Sequence, residues 1–137
     1  MPAIWDRQKG INLKQMEKIA FFTADKEKAA DLEALLKELS ITAVRLTYKD
    51  LGRSVGDIFG LKVNIDQSPQ IPPMYVQPDL VIFYGLMGPR LDEVLAVCRT
   101  AGAADALKAV VTPSNCSWSI YTLTQELKKE AKHLNRP

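Results

Sequence analysis

The order strand–helix–strand–loop–helix occurs twice along this chain, and this repetition limits its fold more than any other feature. Short apolar runs at Lys18–Thr23 and Leu80–Tyr84 each precede a stretch with apolar residues at helical spacing. Second runs follow at Thr42–Thr47 and Leu107–Val111. The two series are offset by about 61–66 residues. This alternation predicts an α/β domain of two β-α-β-α halves, with four main strands and helices packed on the sheet.

The helices of the two halves occupy equivalent positions in this alignment. Two sets of apolar residues have the spacing i, i+3, i+4 and i+7 of one helix face: Leu32, Leu35, Leu36 and Leu39, and then Leu91, Val94, Leu95 and Cys98. A short helix is predicted at Ser54–Leu61 and a final one after Ser119, with each serine as the cap. Ser54 therefore aligns with Ser119 and Thr47 with Thr112, while Phe21 aligns with Ile82.

Two sheet arrangements are compatible with this order. In the first, all four strands are parallel and the crossovers are right-handed. In the second, the halves interleave as split β-α-β units in a ferredoxin-like α+β sheet. We expect the parallel arrangement, because a helix follows every strand and the strands are apolar on both faces. In that case all four strands end at one edge, which is where ligands of open parallel sheets bind.

Two segments lie outside the repeated pattern. Residues 1–17 are predicted to form an N-terminal arm, which leaves 18–137 as a single domain. Four prolines between Lys62 and Pro78 exclude a long helix or a central strand, so we expect a surface connection with, at most, a short edge strand at Lys62–Ile65. The length of this connection is unusual in a compact domain, which favours a functional role for it.

The composition excludes several functional classes. Apolar residues make up 47% and charged residues 25%, as in globular proteins. The net charge of +2 is too small to indicate a nucleic-acid partner. No apolar run approaches the roughly 18 residues of a membrane span, and the N-terminus lacks the apolar core of a signal peptide. We therefore expect a cytoplasmic protein in which Cys98 and Cys116 are reduced.

Three loops at strand ends carry the candidate ligand-binding residues. Thr112–Ser119 places small polar residues before a predicted helix, where hydroxyl, amide and free N–H groups could hold an anion. Gly85–Arg90 combines two glycines with a basic side chain, and Thr47–Ser54 carries several polar residues. The candidates are Thr112, Ser114, Asn115, Cys116, Gly85, Arg90 and Tyr48.

These loops also have an interpretation without any ligand. Pro113 and Asn115 are typical turn formers, Ser119 is a typical helix cap, and Gly85 permits a tight turn. In a parallel sheet, however, seven strand-end residues would gather at one edge: Thr23, Asp25, Tyr48, Asp50, Gly85, Thr112 and Asn115. The direction of the strands therefore decides whether this edge is a site.

The sequence offers little for catalysis. His133 is the only histidine and lies near the chain end, and the two cysteines have no zinc-site spacing. Cys116 is the one candidate nucleophile, but it has no evident base. No catalytic residue, metal or cofactor is predicted. We expect a non-catalytic binding or regulatory domain, with an enzyme acting on a small anionic ligand and a homodimeric structural module as the alternatives.

One segment resembles a known bacterial family. Leu107–Trp118, with Leu123 and Glu126–Leu127, resembles the end of the family called domain of unknown function 3783, whose members show a Lys-Ala-Val strand, the motif Thr-Pro-x-Asn-x-x-Trp and a Leu-x-x-Glu-Leu helix. Asp50–Gly56 and Asp79–Gly85 resemble its preceding segments. The resemblance implies a small cytoplasmic bacterial domain and brings no activity, substrate or site residue.

Overall fold

A computed structural model describes residues 5–6, 11–12 and 17–134 of the chain. The strands of this part are β1 (Trp5–Asp6), β2 (Ile11–Asn12), β3 (Lys18–Phe22), β4 (Thr42–Arg45), β5 (Leu80–Tyr84) and β6 (Leu107–Val110). Its α-helices are α1 (Lys26–Glu38), α2 (Val55–Ile58), α3 (Pro89–Thr100) and α4 (Ile120–Leu134). β1 and β2 form a small antiparallel pair in the predicted N-terminal arm.

The other four strands form one mixed sheet in the order β4-β3-β5-β6. β3 is parallel to β4 and β5 is parallel to β6, but the central strands β3 and β5 are antiparallel. The prediction of an α/β fold with helices on the sheet is confirmed, whereas the preferred all-parallel arrangement is wrong. The ferredoxin-like alternative is also wrong, because the two strands of each half lie side by side and do not interleave.

Burial of the central strands explains why their direction could not be read from the sequence. Ile19 and Phe21 of β3 pack with α1 and α3 on one face of the sheet, whereas Ala20 and Phe22 pack with α2 and α4 on the other. A strand covered on both faces is apolar throughout, whether its neighbour runs parallel or antiparallel. The continuous apolar runs therefore fit this mixed sheet as well as a parallel one.

The two halves are related by an approximate two-fold axis. Ala20 pairs with Ile82 at the centre of the β3–β5 ladder, and Ser54 forms an antiparallel bridge with Ser119 beneath the sheet. The mutual pairing of the two serines confirms that they are equivalent. The axis makes Phe21 equivalent to Phe83, so the alignment of Phe21 with Ile82 is wrong by one residue. Short runs of similar apolar side chains do not fix such a register.

The connection after α2 runs over the surface and adds no strand to the sheet. The short edge strand considered at Lys62–Ile65 is not formed. The Ser54 hydroxyl donates to the Val63 carbonyl, and the Asp66 N–H group donates to the Ser117 carbonyl at 2.9 Å. The segment is therefore bonded to the loops of the α2–α4 layer and not to a sheet edge.

The buried side chain of Gln77 anchors the far end of this connection. Its Nε2 donates to Thr124 Oγ1 at 3.1 Å, and its Oε1 accepts a hydrogen bond from the Tyr75 hydroxyl at 2.9 Å. Its backbone N–H donates to the Tyr48 hydroxyl at 3.1 Å. Gln77 is 4% exposed, so this polar side chain is buried with its hydrogen bonds satisfied.

Candidate functional site

The antiparallel central pair divides the expected strand-end cluster between opposite ends of the sheet. β4 ends near the start of β5, whereas β6 ends near the start of β3. The expected gathering at one edge is therefore wrong, because it required four parallel strands. Thr23, Asp25, Tyr48 and Asp50 follow β3 and β4, and Gly85, Thr112 and Asn115 follow β5 and β6 at the other end.

Asn115 closes the turn that follows β6. Its Oδ1 accepts a hydrogen bond from the Thr112 N–H at 2.9 Å, and its Nδ2 donates to the Val110 carbonyl at 3.0 Å. The Asn115 N–H in turn donates to Thr112 Oγ1 at 3.1 Å. Asn115 is 8% exposed, and both ends of its side-chain amide are occupied within the turn. Its first role is therefore to build this turn.

The Asn115 amide also takes the place of a neighbouring strand at the end of β6. Leu107 donates its N–H to the carbonyl of Asp79, just before β5, at 2.9 Å, and Val111 donates to the Phe83 carbonyl of β5 at 3.0 Å. Backbone groups alternate in direction along a strand, so three residues point theirs away from the sheet: Lys108, Val110 and Thr112. Asn115 donates to the Val110 carbonyl and accepts from the Thr112 N–H. It thereby ends the outward row of strand hydrogen-bonding groups on β6 at that point.

Within residues 17–134 and the two arm strands, three backbone groups on the outer edge of β6 make no hydrogen bond. They are the N–H and carbonyl of Lys108 and the N–H of Val110, which have no hydrogen-bond partner among the described residues. Unpaired strand groups of this kind are a template for pairing with another chain. The edge therefore has the capacity to accept a short additional strand.

A groove of about 370 Å³ runs beside this edge, and we call it the β6–α4 groove. Its wall is one face of α4, and its apolar surface includes Val110, which is 42% exposed. The residues that line the groove come from β6, the following turn and α4: Lys108, Ala109, Val110, Thr112, Ser114, Asn115, Trp118, Leu123, Glu126, Leu127 and Glu130. Three of the predicted candidates, Thr112, Ser114 and Asn115, therefore lie together on its rim.

The available charge in the β6–α4 groove is negative. Lys108 directs its ammonium group to the carbonyls of Ala104 and Ala106, at 2.8 and 3.0 Å, and away from the groove. Glu126 and Glu130 contribute two carboxylates to the lining. A lining of this charge favours a neutral or cationic ligand. The small anionic ligand expected from the sequence stays a prediction.

The first half of the chain provides an internal comparison. α2 has four residues where α4 has fifteen, so on the face of the sheet that α2 and α4 cover, β4 has no helix as long as α4. The long helix that β4 contacts is α1, on the opposite face. In the turn equivalent to that of Asn115, Asp50 accepts a hydrogen bond from the Thr47 N–H at 2.8 Å. A carboxylate has no N–H group, so Asp50 cannot donate a hydrogen bond to a carbonyl of its strand as Asn115 does. The extended helix and the asparagine thus distinguish the second half.

The remaining candidates have structural partners. Arg90 donates two hydrogen bonds to the Glu17 carboxylate, at 3.0 and 3.1 Å, and these raise the pKa of Arg90. Gly85 has a φ of +75°, in the left-handed region that favours glycine. The Tyr48 hydroxyl accepts the Gln77 N–H described above. In these contacts the three residues shape a turn or anchor another segment, which fits a structural role better than a role in ligand binding.

Cys116 lies outside the lining of the β6–α4 groove. Its Sγ is 3.4 Å from the Pro113 carbonyl oxygen, and its own carbonyl accepts the Gly56 N–H at 2.8 Å. Cys116 and Cys98 are both free thiols. His133 belongs to α4, but its side chain lies outside the described residues. A ligand in the groove would therefore not meet the one nucleophile that the sequence suggested.

Sequence reasoning missed the helical wall of the groove. The ligand-binding candidates predicted from the sequence include none of the α4 residues that line the groove, which are Leu123, Glu126, Leu127 and Glu130. The signal present in the sequence was the greater length of the last apolar helix pattern compared with its counterpart after Ser54. That difference becomes meaningful only when the repeat is treated as an internal comparison.

In residues 17–134 and the two short arm strands, no three His, Cys, Asp or Glu side chains are placed to hold a metal ion. Within the same ranges, every helix is too short or too polar to cross a membrane.

Comparison with known proteins identifies one family. Residues 79–134 match the model of the family described as Domain of unknown function (DUF3783). The match begins just before β5 and ends with α4, so it spans the second half and contains the segment Thr112–Trp118. The resemblance at Asp50–Gly56 lies outside it and stays a prediction. Neither the search of curated proteins nor the search of solved structures finds a match.

Proposed function

We propose that this chain is a non-catalytic binding domain that holds an extended peptide segment as an added strand beside β6. The observation that carries the proposal is the free backbone edge at Lys108 and Val110, which lies directly along the β6–α4 groove. Main-chain hydrogen bonds to an exposed edge provide affinity, and pockets for alternate side chains provide specificity. The occupant is an extended segment of another protein with apolar side chains.

The geometry limits how much of the peptide pairs with β6. The strand has four residues, and Asn115 already occupies the edge beyond Val110. Only two or three peptide residues therefore form ladder hydrogen bonds. Burial of the exposed Val110 and the partly buried Leu127 must supply much of the remaining free energy, because Leu123 is already buried.

The arrangement of reactive groups supports a binding role over a catalytic one. The titratable side chains on the groove lining are Lys108, Glu126 and Glu130, and the ammonium group of Lys108 is turned away. The oxygen and the nitrogen of the Asn115 amide each make a hydrogen bond within its turn. Binding through backbone groups needs none of these side chains as an acid, base or nucleophile.

The proposed setting is the bacterial cytoplasm, where thiols stay reduced. The free thiols of Cys98 and Cys116 support this location.

A homodimer also stays a prediction, since a second copy of the chain can pair with the same edge of β6. Light scattering over a concentration series, with and without peptide, distinguishes self-association from capture of a separate segment.

A peptide selection tests the proposal. Peptides selected from a random phage library on the full chain would be synthesised, and their affinity measured by fluorescence polarisation. Val110→Pro removes one outward N–H while an edge position tolerates proline, so we expect affinity to fall at least roughly tenfold.

Ala43→Pro is the matched control. Leu46 donates its N–H to β3 at 2.8 Å, so the Ala43 N–H points outward from the other sheet edge. This variant should bind the selected peptides like the unmodified protein. Unchanged binding by Val110→Pro, with circular dichroism showing a folded chain, would overturn the proposal.

A further inference from the structure

A second and larger concavity lies on the other side of Trp118. It measures about 630 Å³ and is lined by the surface connection and the first turns of α4. We call it the Trp118 pocket. Its lining consists of Asp66, Gln67, Ser68, Pro69, Gln70, Trp118, Tyr121, Thr122 and Glu126. Trp118 and Glu126 line both this pocket and the β6–α4 groove, so the two are neighbours along one surface.

The walls of the Trp118 pocket are held by backbone hydrogen bonds. The Asp66 N–H donates to the Ser117 carbonyl at 2.9 Å, which fixes the connection against the turn before α4. The Trp118 carbonyl accepts the Val55 N–H at 2.9 Å, so the tryptophan backbone is fixed at the centre of the α2–α4 layer. A pocket with its walls already in place loses less conformational entropy on binding.

The ionisable lining of this pocket is acidic although the whole chain carries a net charge of +2. Asp66 and Glu126 provide carboxylates, and the described residues of the lining include no lysine, arginine or histidine. Glu126 pairs with Lys129 at 3.3 Å, but the Lys129 side chain is 74% exposed. An exposed pair of this kind contributes little, so an incoming cation can replace Lys129.

Aromatic rings complete the lining. Trp118 and Tyr121 line the pocket, and the face of an indole or phenol ring attracts a cation. The adjoining cluster already shows this interaction, because Lys128 Nζ lies 5.0 Å from the centre of the Tyr75 ring. Tyr75 itself packs edge-on against Tyr121, with ring centres 4.9 Å apart. Carboxylates beside aromatic faces suit a guanidinium or alkylammonium group.

We propose that the Trp118 pocket binds an arginine or lysine side chain of the peptide that occupies the β6–α4 groove. This inference rests on the proposed function and specifies its partner: a short extended apolar segment with a basic residue next to it. The carboxylates of Asp66 and Glu126 pair with the cation, and the rings of Trp118 and Tyr121 contact its flat or alkyl surface.

A single-residue probe tests the pocket separately from the strand edge. N-acetyl-arginine methylamide would be titrated into the isotope-labelled full chain, with the neutral citrulline derivative as its control. We expect the arginine probe to shift backbone amide signals at 66–70 and at 118–126, and the citrulline probe to leave them in place. Asp66→Asn and Glu126→Gln should each weaken binding roughly fivefold or more, and added salt should weaken it as well.

Two further variants separate this proposal from the proposed function. Glu130→Gln removes a carboxylate that lines only the β6–α4 groove, so it should leave the arginine titration unchanged. Val110→Pro should also leave it unchanged, because one amino-acid derivative cannot add a strand. Equal shifts with both probes, or binding that survives both Asp66→Asn and Glu126→Gln, would overturn the pocket assignment. Arginine binding without any effect of Val110→Pro on the selected peptides would retain the pocket and reject strand addition.

Discussion

Asn115 and Asp50 occupy equivalent turns and show how one side chain changes a strand end. Each accepts a hydrogen bond from a threonine N–H three residues earlier, Thr112 or Thr47. Only Asn115 can also donate, and it does so to the Val110 carbonyl. The asparagine thus ends the β6 edge with satisfied groups, whereas Asp50 directs its second oxygen to Arg53 at 3.0 Å.

Replacing Asn115 should test this role through stability. Asn115→Ala removes the acceptor and the donor from a nearly buried position, so the free energy of unfolding should fall by about 1–3 kcal/mol. Asn115→Asp keeps an acceptor for Thr112 and should cost less. Urea denaturation at constant m-value measures both. Equal stability of Asn115→Ala and the unmodified protein would contradict the role.

Cys98 should make stability depend on pH. It is fully buried on α3, and burial raises the pKa of its thiol. Above the usual thiol pKa of about 8.5, the unfolded chain loses this proton while the folded chain keeps it. The unfolded state then binds fewer protons, so the free energy of unfolding falls as pH rises from about 8 to about 10.

Cys98→Ala removes this titration and supplies the comparison. Its curve of stability against pH should be flatter than that of the unmodified protein over the same interval, whatever the cost of the lost sulfur. Burial also raises the pKa of Tyr75, but that group affects stability at higher pH, above about 10. Parallel curves for the two proteins would contradict the assignment to Cys98.

At the scale of elements, α2 depends on a close approach that only glycine allows. A Cβ atom on Gly56 would lie 2.8 Å from Val63 Cγ2 and 3.1 Å from the Cys116 carbonyl oxygen. Gly56→Ala should therefore destabilise the fold by about 1–3 kcal/mol through overpacking. Gly52, where a Cβ would meet nothing within 4 Å, is the matched control.

Thermal denaturation measures both glycine variants. Gly52→Ala should change stability by less than about 1 kcal/mol, because the new methyl group has open space and the unfolded chain loses some freedom. If the Gly56→Ala protein is as stable as the Gly52→Ala protein, the prediction is wrong. The distances between α2, the surface connection and the turn before α4 would then be longer than in the structure.

The elements themselves were largely predictable, and their pairing was not. The apolar spacing of Leu32, Leu36, Val94 and Cys98 predicts helix faces that the structure buries. The direction of β5 depends on how the chain from β4 to β5 crosses beneath the sheet, and no local pattern encodes that path. The expected gathering of candidate residues was wrong for the same reason, because Tyr48 and Thr112 lie at the same end of the sheet only if all strands are parallel.

For the whole molecule, the duplication carries the most information. Two similar halves meet at the Ala20–Ile82 and Ser54–Ser119 pairs, so each half serves as a control for the other. Their shared features, such as the serine caps, maintain the fold. Their differences, α4 in place of the shorter α2 and Asn115 in place of Asp50, lie together at the β6 edge. This concentration of differences is why we assign recognition to the second half.

Amide hydrogen exchange with a bound selected peptide tests strand addition at β6 most directly. Strand addition should slow exchange of the Lys108 and Val110 amides, which point outward, and should change exchange little at Ala109, whose amide points towards β5. Ala43 on the β4 edge should exchange as it does without peptide. Unaltered exchange at Lys108 and Val110 under saturating peptide, or protection at Ala43 instead, would contradict it.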